Sequence, residues 1–175
     1  MIQLCCGDAP RSIRDYLIGQ RVWFETLLHR PAPSASRLAG SVHVSGRHVA
    51  KAVLVRTDGA NALAVLPATH RIDLAMLSRV LGMGPVRLAG EDEVIRTFGD
   101  CERGALPPFG RLYGLTTVVD ATLAGGSEIS FVGNARHEGV RMRYRDFVTL
   151  EGPIRARFAT AIEPRRRRPS HRHVG

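Results

Sequence analysis

Apolar and polar residues alternate in several short runs along the chain, which is the pattern of half-buried β-strands. The predicted strands lie at residues 21–29, 48–56, 61–67, 86–90, 116–120, 128–133 and 140–143. The sequence TDGA joins the second and third of these, and its Asp58-Gly59 pair is a strong signal for a tight β-hairpin. The pattern therefore predicts a sheet that is built partly from hairpins.

Capping residues and helical spacing predict short helices between the strands. Asp8 or Ser12 can cap the first helix, and Asp73 can cap a helix that runs to about Leu81 and ends at Gly82. Further helical segments are predicted within residues 31–41, 91–98 and 144–150. This mixture favours an α+β fold with a mostly antiparallel or mixed sheet over a regular βαβ repeat.

The length of 175 residues fits one domain with tails. The formal net charge of +9 favours a polyanionic partner, but residues 165–168 and 172 are all arginine and contribute +5, so the rest of the chain carries only +4. Basic ends of this kind are most often solvated and disordered. RNA contact by Arg165 to Arg168 is therefore a secondary hypothesis.

The three cysteines, Cys5, Cys6 and Cys101, match no zinc spacing and cannot form a fully paired disulfide framework. The first fifteen residues lack the basic and apolar regions of an export signal, and no apolar run reaches the ~20 residues of a membrane helix. We therefore expect a cytoplasmic protein, monomeric by default, without a membrane segment, a metal or another cofactor.

Lys51 is the single lysine of the chain, whereas the other 24 of its 25 basic residues are arginine. It lies within the apolar run HVAKAVLVR, where strand alternation puts it on one face with Val49, Val53 and Val55. The simplest interpretation is a strand lysine whose ammonium reaches water. Because every other basic position is arginine, Lys51 instead indicates a place that needs a compact ammonium, for chemistry or for binding an anion.

The segment GALPPFG, residues 104–110, combines two prolines with flanking glycines and predicts a stiff loop. Its backbone N–H groups at Gly104, Ala105, Leu106, Phe109 and Gly110 could face the oxygens of a ligand, although a rigid connector is as good an interpretation. Asp120 and His137 lie where loops leave predicted strands, and each alone is typical of a cap or a surface residue. The chain has no GxSxG elbow, Walker loop, HExxH motif or paired carboxylates.

Several motifs in fixed order resemble the YbaK/EbsC family, whose domain is also inserted into bacterial prolyl-tRNA synthetases for editing. They are VAKAVLV, LAVLPATHRIDL, VRLAGEDEVIRTFGDCERGALPPFG, YGLTTVVD and FVGNARHEGVRM. The resemblance covers roughly residues 12–150, which leaves an N-terminal end at 1–11 and a basic tail at 151–175. It implies a mixed α+β domain with a curved, barrel-like central sheet and surrounding helices.

The resemblance also implies an aminoacyl-tRNA deacylase that acts in trans on the 3′ CCA end of mischarged tRNA, as in tRNA(Pro) carrying alanine or cysteine, with a synthetase as a further partner. Lys51 matches the essential lysine of the family, and Gly104 a glycine of the loop that holds the aminoacyl end. The residues implied to bind substrate are Ala105, Leu106, Pro107, Pro108, Phe109, Gly110, Asp120, Gly133 and His137. Relatives carry serine or glycine at Pro107, so this chain lacks a backbone donor there.

The implied mechanism uses neither a metal nor a covalent intermediate: water attacks the ester, and the ribose 2′-hydroxyl can assist the proton transfer. Two other interpretations remain open at this point. One is a noncatalytic module that binds tRNA or a synthetase through the basic tail, with steep salt dependence. The other is a purely structural Lys51, whose removal would lower stability.

Overall fold

The computed structural model describes residues 12–28 and 45–162 of the chain. The turn and helix predicted within residues 31–41, the arginines from 165 onward, Cys5 and Cys6 lie outside these ranges. No helix within the described ranges has the length and apolar character needed to cross a bilayer.

The described residues form an α+β fold of short elements. The helices are α1 (Ile13–Gly19), α2 (Leu74–Leu81), α3 (Glu91–Thr97) and α4 (Tyr144–Glu151), with 3-10 helices at Gly110–Tyr113 and Ala121–Gly125. The strands are β1 (Phe24–Leu28), β2 (Ala50–Arg56), β3 (Asn61–Pro67), β4 (His70–Ile72), β5 (Arg87–Leu88), β6 (Thr116–Asp120), β7 (Glu128–Val132), β8 (Glu138–Arg143), β9 (Ile154–Ala156) and β10 (Ala159–Ala161).

Local signals in the sequence set the ends of several elements as predicted. Strands β2 and β3 form the antiparallel hairpin, with Gly59 at φ 104° in its turn. Ser12, and not Asp8, caps α1 by accepting a hydrogen bond from the Asp15 amide at 3.2 Å. The Asp73 carboxylate caps α2, which ends at Gly82.

The strands form three sheets, with orders β1-β8-β7, β10-β4 and β5-β2-β3-β6-β9. The five-stranded sheet is mixed, because β2 is antiparallel to β3 and β5 whereas β6 is parallel to both of its neighbours. A single parallel bridge between Val49 and Ser130 links β2 to β7. The mixed α+β fold is thus confirmed, but the barrel-like central sheet is not, because these sheets do not close on themselves.

Strand pairing continues past residue 150, where the sequence showed no strong pattern. Strand β9 runs parallel to β6, and β10 pairs antiparallel with β4. Both strands have only three residues, too few for alternation to be visible in the sequence. Their placement depends on tertiary contacts, above all the hydrogen bonds that the Asp120 carboxylate accepts from the amides of Phe158 and Ala159 at 2.8 and 2.9 Å.

The main core is built around the ring of Phe109, which is completely buried. It makes edge-on contacts with Tyr16, Phe131 and Phe147 at centroid distances of 5.8, 5.8 and 5.3 Å. Aromatic pairs of this geometry contribute beyond the burial of their area. Phe109 thus anchors the Gly/Pro loop between α1, the β7 strand and α4.

A buried carboxylate fixes the end of the same loop. Glu151 is 6% exposed and accepts hydrogen bonds from the Arg111 amide at 3.0 Å and from the Thr117 hydroxyl. Gly110 leaves no room for a side chain, since a Cβ there would overlap Thr117 and lie 3.2 Å from the Cβ atoms of Leu63 and Leu115. The loop is therefore held from both sides.

Burial raises the pKa of Glu151 above 4.5, while the hydrogen bonds from Thr117 and Arg111 act in the opposite direction. The folded protein then binds this proton more tightly than the unfolded chain does, so its contribution to stability falls as pH rises from about 4.5 through the raised pKa. Glu151→Gln removes this titration. We expect wild type to lose stability relative to Glu151→Gln across that window in urea unfolding at several pH values, and parallel pH profiles would contradict the assignment.

Candidate functional site

The site around Lys51 begins with an opening along one edge of β2. On that edge, Val49 bridges to β7, while Val55 and Arg56 pair with β5. Among the described residues no strand pairs with the stretch between these contacts, and Lys51 lies within it. On the opposite edge Lys51 is paired with Leu66 of β3, so its backbone is held firmly beside the opening.

The ammonium of Lys51 is partly buried and only partly occupied. Its Nζ donates a hydrogen bond to the carbonyl of His70 at 2.5 Å. An ammonium has three N–H donors, so this contact leaves donors for a ligand. No carboxylate of the described residues forms an ion pair with Lys51. Desolvation lowers the pKa of Lys51 from 10.5. The result is a positioned cation without a protein counter-charge in that part of the chain.

Lys51 stands between two small cavities. The first, of 160 Å³, is also lined by Ala50, Ala52, Gly104, Leu106 and Val132. The second, of 250 Å³, is lined with Lys51 by Val53, Arg71, Ile72, Leu74 and Leu88. The structure therefore brings the predicted residues Lys51, Gly104 and Leu106 to one cleft, and it adds Arg71 as a second cation beside the lysine.

The Gly/Pro loop meets this cleft only at its start. Gly104 is exposed, with φ 84° in the left-handed region that glycine favours. The Ala105 amide is already used in a hydrogen bond to the Glu102 carbonyl at 2.8 Å. Residues 107–110 are buried and do not line the cleft. Gly104 and Leu106 are thus the positions at which this loop faces a ligand beside Lys51.

A larger apolar pocket of 620 Å³ opens next to the Lys51 cleft and shares Gly104 and Leu106 with it. Its other lining residues come mainly from α3 and the loop that follows: Glu91, Val94, Ile95, Phe98, Gly99, Cys101, Glu102 and Arg103. This volume is in the range of small-molecule sites. The sequence analysis did not find this pocket, because its residues carry no motif.

Helix α3, which forms this pocket wall, is fastened to the sheet by Glu93. The Glu93 carboxylate accepts from Arg56 at 2.7 Å, from Arg87 at 2.9 Å and from the Gly90 amide at 2.7 Å. The hydrogen bond from Arg87 is the largest of the effects that lower the pKa of Glu93 to about 2. Glu93 therefore stays ionised and keeps the start of α3 in place at ordinary pH.

Cys101 lines the apolar pocket but is not arranged as a nucleophile. Its Sγ lies 3.4 Å from the Tyr113 hydroxyl and 3.3 Å from Nδ2 of Asn134. Burial raises the pKa of the Cys101 thiol to about 11. The thiolate is the reactive form of cysteine, so this thiol is unreactive at neutral pH and serves as a packing and hydrogen-bonding group.

Asp120, one of the residues implied to line the substrate pocket, is completely buried away from the Lys51 cleft. Its Oδ1 accepts from the amide and hydroxyl of Thr122 at 3.0 and 2.5 Å, and its Oδ2 accepts from the amides of Phe158 and Ala159. All of these partners are within the fold. The contacts of Asp120 are those of a cap, which was the alternative interpretation from the sequence.

Gly133 and His137 also lie outside the lining of the Lys51 cleft. Gly133 is buried, and a Cβ there would be 3.4 Å from both Ile13 and Glu138, which explains the absence of a side chain. His137 is exposed on the turn before β8. The preceding residue, Val132, is the one in this segment that reaches the cleft.

Two features of the cleft escaped the sequence analysis for different reasons. Ala50 and Ala52 flank Lys51 in the sequence, and two small residues beside a lone lysine were a visible signal for open space. Arg71 and the His70 carbonyl had no such signal, because β4 is brought to Lys51 by the chain reversal after β3. Within residues 12–28 and 45–162, no group of three His, Cys, Asp or Glu side chains could hold a metal ion.

Comparison with known proteins identifies the family of this fold. The model of the aminoacyl-tRNA editing domain family matches residues 29–150. The hypothetical protein APE2540 has a similar structure, with a TM-score of 0.77 and 21% identity over 85% of this chain and 99% of that one. A proposed trans-editing enzyme for prolyl-tRNA synthetase has a TM-score of 0.71 and 22% identity over 79% of this chain and 87% of that one. A search of curated proteins gave no significant match.

Proposed function

The chain belongs to the aminoacyl-tRNA editing domain family, and from that membership we propose that it is a trans-editing deacylase. Its substrate would be a tRNA, such as tRNA(Pro), that carries a small wrong amino acid on its 3′ terminal adenosine. The observation that carries the proposal is the meeting of Lys51 and Gly104 in one cleft, with an ammonium that has donors left for an anionic ligand.

We assign Lys51 to the terminal phosphate and ester of the substrate. Its ammonium is fixed by the His70 carbonyl and has no carboxylate partner among the described residues, so a phosphate or a developing oxyanion would supply the missing negative charge. Arg71 lines the cavity on the other side of Lys51 and would add a second positive charge. Partial burial strengthens such contacts, because they are less screened than contacts in open water.

In the proposed reaction, water attacks the ester carbonyl and the bond to the ribose 3′-oxygen breaks. The products are the free amino acid and the tRNA with its 3′-hydroxyl restored. The ribose 2′-hydroxyl assists the proton transfer, and the backbone N–H groups at Gly104 and Leu106, with Lys51, orient the ester and stabilise the charge that develops on the carbonyl oxygen. Positioning of this kind needs no nucleophile from the protein.

The shape of the two cavities supports a small aminoacyl group. The cleft of 160 Å³ has walls of Ala50, Ala52, Leu106 and Val132, which are apolar and leave little room. The neighbouring pocket of 620 Å³ is large enough for the terminal adenosine. Since one methylene changes binding by only about 1 to 3 kcal/mol, a separate hydrolytic site is the expected remedy for small amino acids.

A panel of esters tests this proposal. We expect wild-type protein to hydrolyse alanyl- or cysteinyl-tRNA(Pro) at least about tenfold faster than prolyl-tRNA(Pro), since the missing methylenes of a smaller side chain are worth this factor in a small pocket. Release of labelled amino acid measures the rate, with seryl- and threonyl-tRNA as further substrates and protein-free tRNA as the control. Preferential hydrolysis of prolyl-tRNA would contradict the assigned selectivity.

A further inference from the structure

A second groove lies at the start of α4, away from the Lys51 cleft. It has a volume of 500 Å³ and is lined by Gly126, Ser127, Glu128, Arg143, Tyr144 and Arg145. The glycine keeps the groove open beside His48, because a Cβ at Gly126 would come within 3.1 to 3.2 Å of the imidazole ring. The proposed deacylation uses none of these residues.

The charged groups of this groove favour an anionic ligand. The guanidinium of Arg143 forms no ion pair with any carboxylate of the described residues. Arg145 is 75% exposed and meets only Asp146 of its own helix, at 3.4 Å. Glu128 is engaged by Arg141, whose Nε lies 3.8 Å from its carboxylate. Exposed ion pairs of this kind are weak, so both arginines can turn to a ligand.

Two further groups at the groove lack a partner for hydrogen bonding or capping. The N-cap of α4 is Arg143, which makes no side-chain cap, so the positive end of this eight-residue helix faces the groove region uncapped. Tyr144 is 8% exposed, and its hydroxyl has no hydrogen-bond partner within the described residues. Helix end, hydroxyl and guanidinium groups are all suited to phosphate oxygens.

An aromatic residue stands beside these arginines. Trp23 is 43% exposed, and the Arg143 guanidinium lies over its ring at 5.8 Å from the centroid. An exposed indole next to arginine is the combination by which proteins hold single-stranded nucleic acid, since bases stack on the ring while cations hold the backbone. A free inorganic anion would make no use of the indole.

The groove and the Lys51 cleft share strand β7. Glu128 lies at its start and lines the groove, whereas Val132 lies at its end and lines the cleft. Alternation puts residues 128, 130 and 132 on the same face of the strand. The two ends are about 13 Å apart at 3.3 Å per residue. That spacing corresponds to about four phosphates of a nucleic-acid strand at 3.4 Å each, and fewer in an extended strand.

We propose that the groove formed by Arg143, Arg145, Tyr144 and Trp23 binds the RNA backbone just inside the 3′ CCA end of the tRNA. This inference rests on the proposed deacylase function. The terminal adenosine then occupies the Lys51 cleft and its neighbouring pocket, and the preceding nucleotides follow β7 to the arginines. The groove contributes affinity and orientation for a whole tRNA, and it takes no part in the chemical step.

Binding of uncharged tRNA(Pro) tests the groove independently of catalysis. Arg143→Ala/Arg145→Ala is compared with Arg79→Ala/Arg96→Ala, which removes the same charge from the exposed surfaces of α2 and α3. By fluorescence anisotropy, we expect the groove variant to bind roughly tenfold more weakly or worse, the value of one hydrogen bond to a charged group. Its log–log salt slope should fall by about 1.8, or 0.9 for each lost phosphate contact. Equal affinities and slopes for the two double variants would overturn the proposal.

A second measurement separates the groove from the deacylase proposal. Both double variants and wild type are assayed on a full-length mischarged tRNA and on an aminoacylated CCA trinucleotide, after thermal unfolding has shown equal stability. We expect the groove variant to raise KM on the full-length substrate only. An equal loss on both substrates, or none on either, would refute the groove. Absence of hydrolysis by wild type would refute the deacylase, while the binding comparison still decides the groove.

Discussion

Replacing Lys51 with alanine is expected to leave a folded protein that hydrolyses a mischarged tRNA about 100-fold more slowly or worse. This is the usual cost of removing one group that stabilises developing charge in an acyl-transfer site. Lys51 has donors left after its contact with the His70 carbonyl and faces the cleft that Gly104 and Leu106 also line. The measurement is single-turnover release of labelled alanine from alanyl-tRNA(Pro).

Three comparisons make the Lys51 result specific. Lys51→Arg keeps the charge but replaces a compact ammonium with a planar fork, so we expect only partial recovery of the rate. Ala75→Ser, at an exposed position on α2, is a control that should leave the rate unchanged. Loss of the single hydrogen bond to His70 should cost only about 0.5–1.5 kcal/mol of stability. Full activity in Lys51→Ala would show that the site is assigned wrongly, and global unfolding would show a structural lysine.

Replacing Asp120 with alanine is expected to lower the free energy of unfolding by about 3 kcal/mol or more. The amides of Thr122, Phe158 and Ala159 would lose their acceptor, and each buried donor left without a partner costs about 1–3 kcal/mol. Strand β10 would lose its anchor beside β4. Urea unfolding measures the effect, and Asp92→Ala, an exposed carboxylate on α3, is the matched control with an expected change within about 0.5 kcal/mol.

The same variant decides between two roles for Asp120. The family resemblance implied a residue that lines the aminoacyl pocket, whereas its contacts are those of an internal anchor. If Asp120→Ala keeps wild-type stability and loses hydrolysis selectively, the pocket role is correct and our structural interpretation is wrong. If stability falls as expected and the folded fraction remains active, the anchor role is supported.

The elements that sequence reasoning found depend on neighbouring residues. The Asp58-Gly59 turn, the caps at Ser12 and Asp73 and the glycine at 82 act within a few residues of themselves, so their signals are visible in a single chain. Alternation likewise revealed the long strands β2 and β3. These local signals predicted most of the elements and the hairpin that presents Lys51.

The features that sequence reasoning missed depend on contacts between distant segments. Strand β9 pairs with β6 across more than thirty residues, and its three residues show no period of their own. The resemblance implied substrate contact along the whole Gly/Pro loop, yet Phe109 turns inward because three aromatic rings from other segments surround it. Whether a loop faces ligand or core is set by such partners, which no local pattern contains.

The central claim is that this member of the editing domain family hydrolyses a mischarged aminoacyl-tRNA. Its most direct test is the rate of alanine release from alanyl-tRNA(Pro) with the wild-type protein in excess, compared with the rate of spontaneous hydrolysis in the same buffer. We predict release well above the spontaneous rate with wild type and near that rate with Lys51→Ala. Release at the spontaneous rate with the wild-type protein, for alanyl-tRNA(Pro) and equally for the cysteinyl, seryl, threonyl and prolyl esters, would contradict the account.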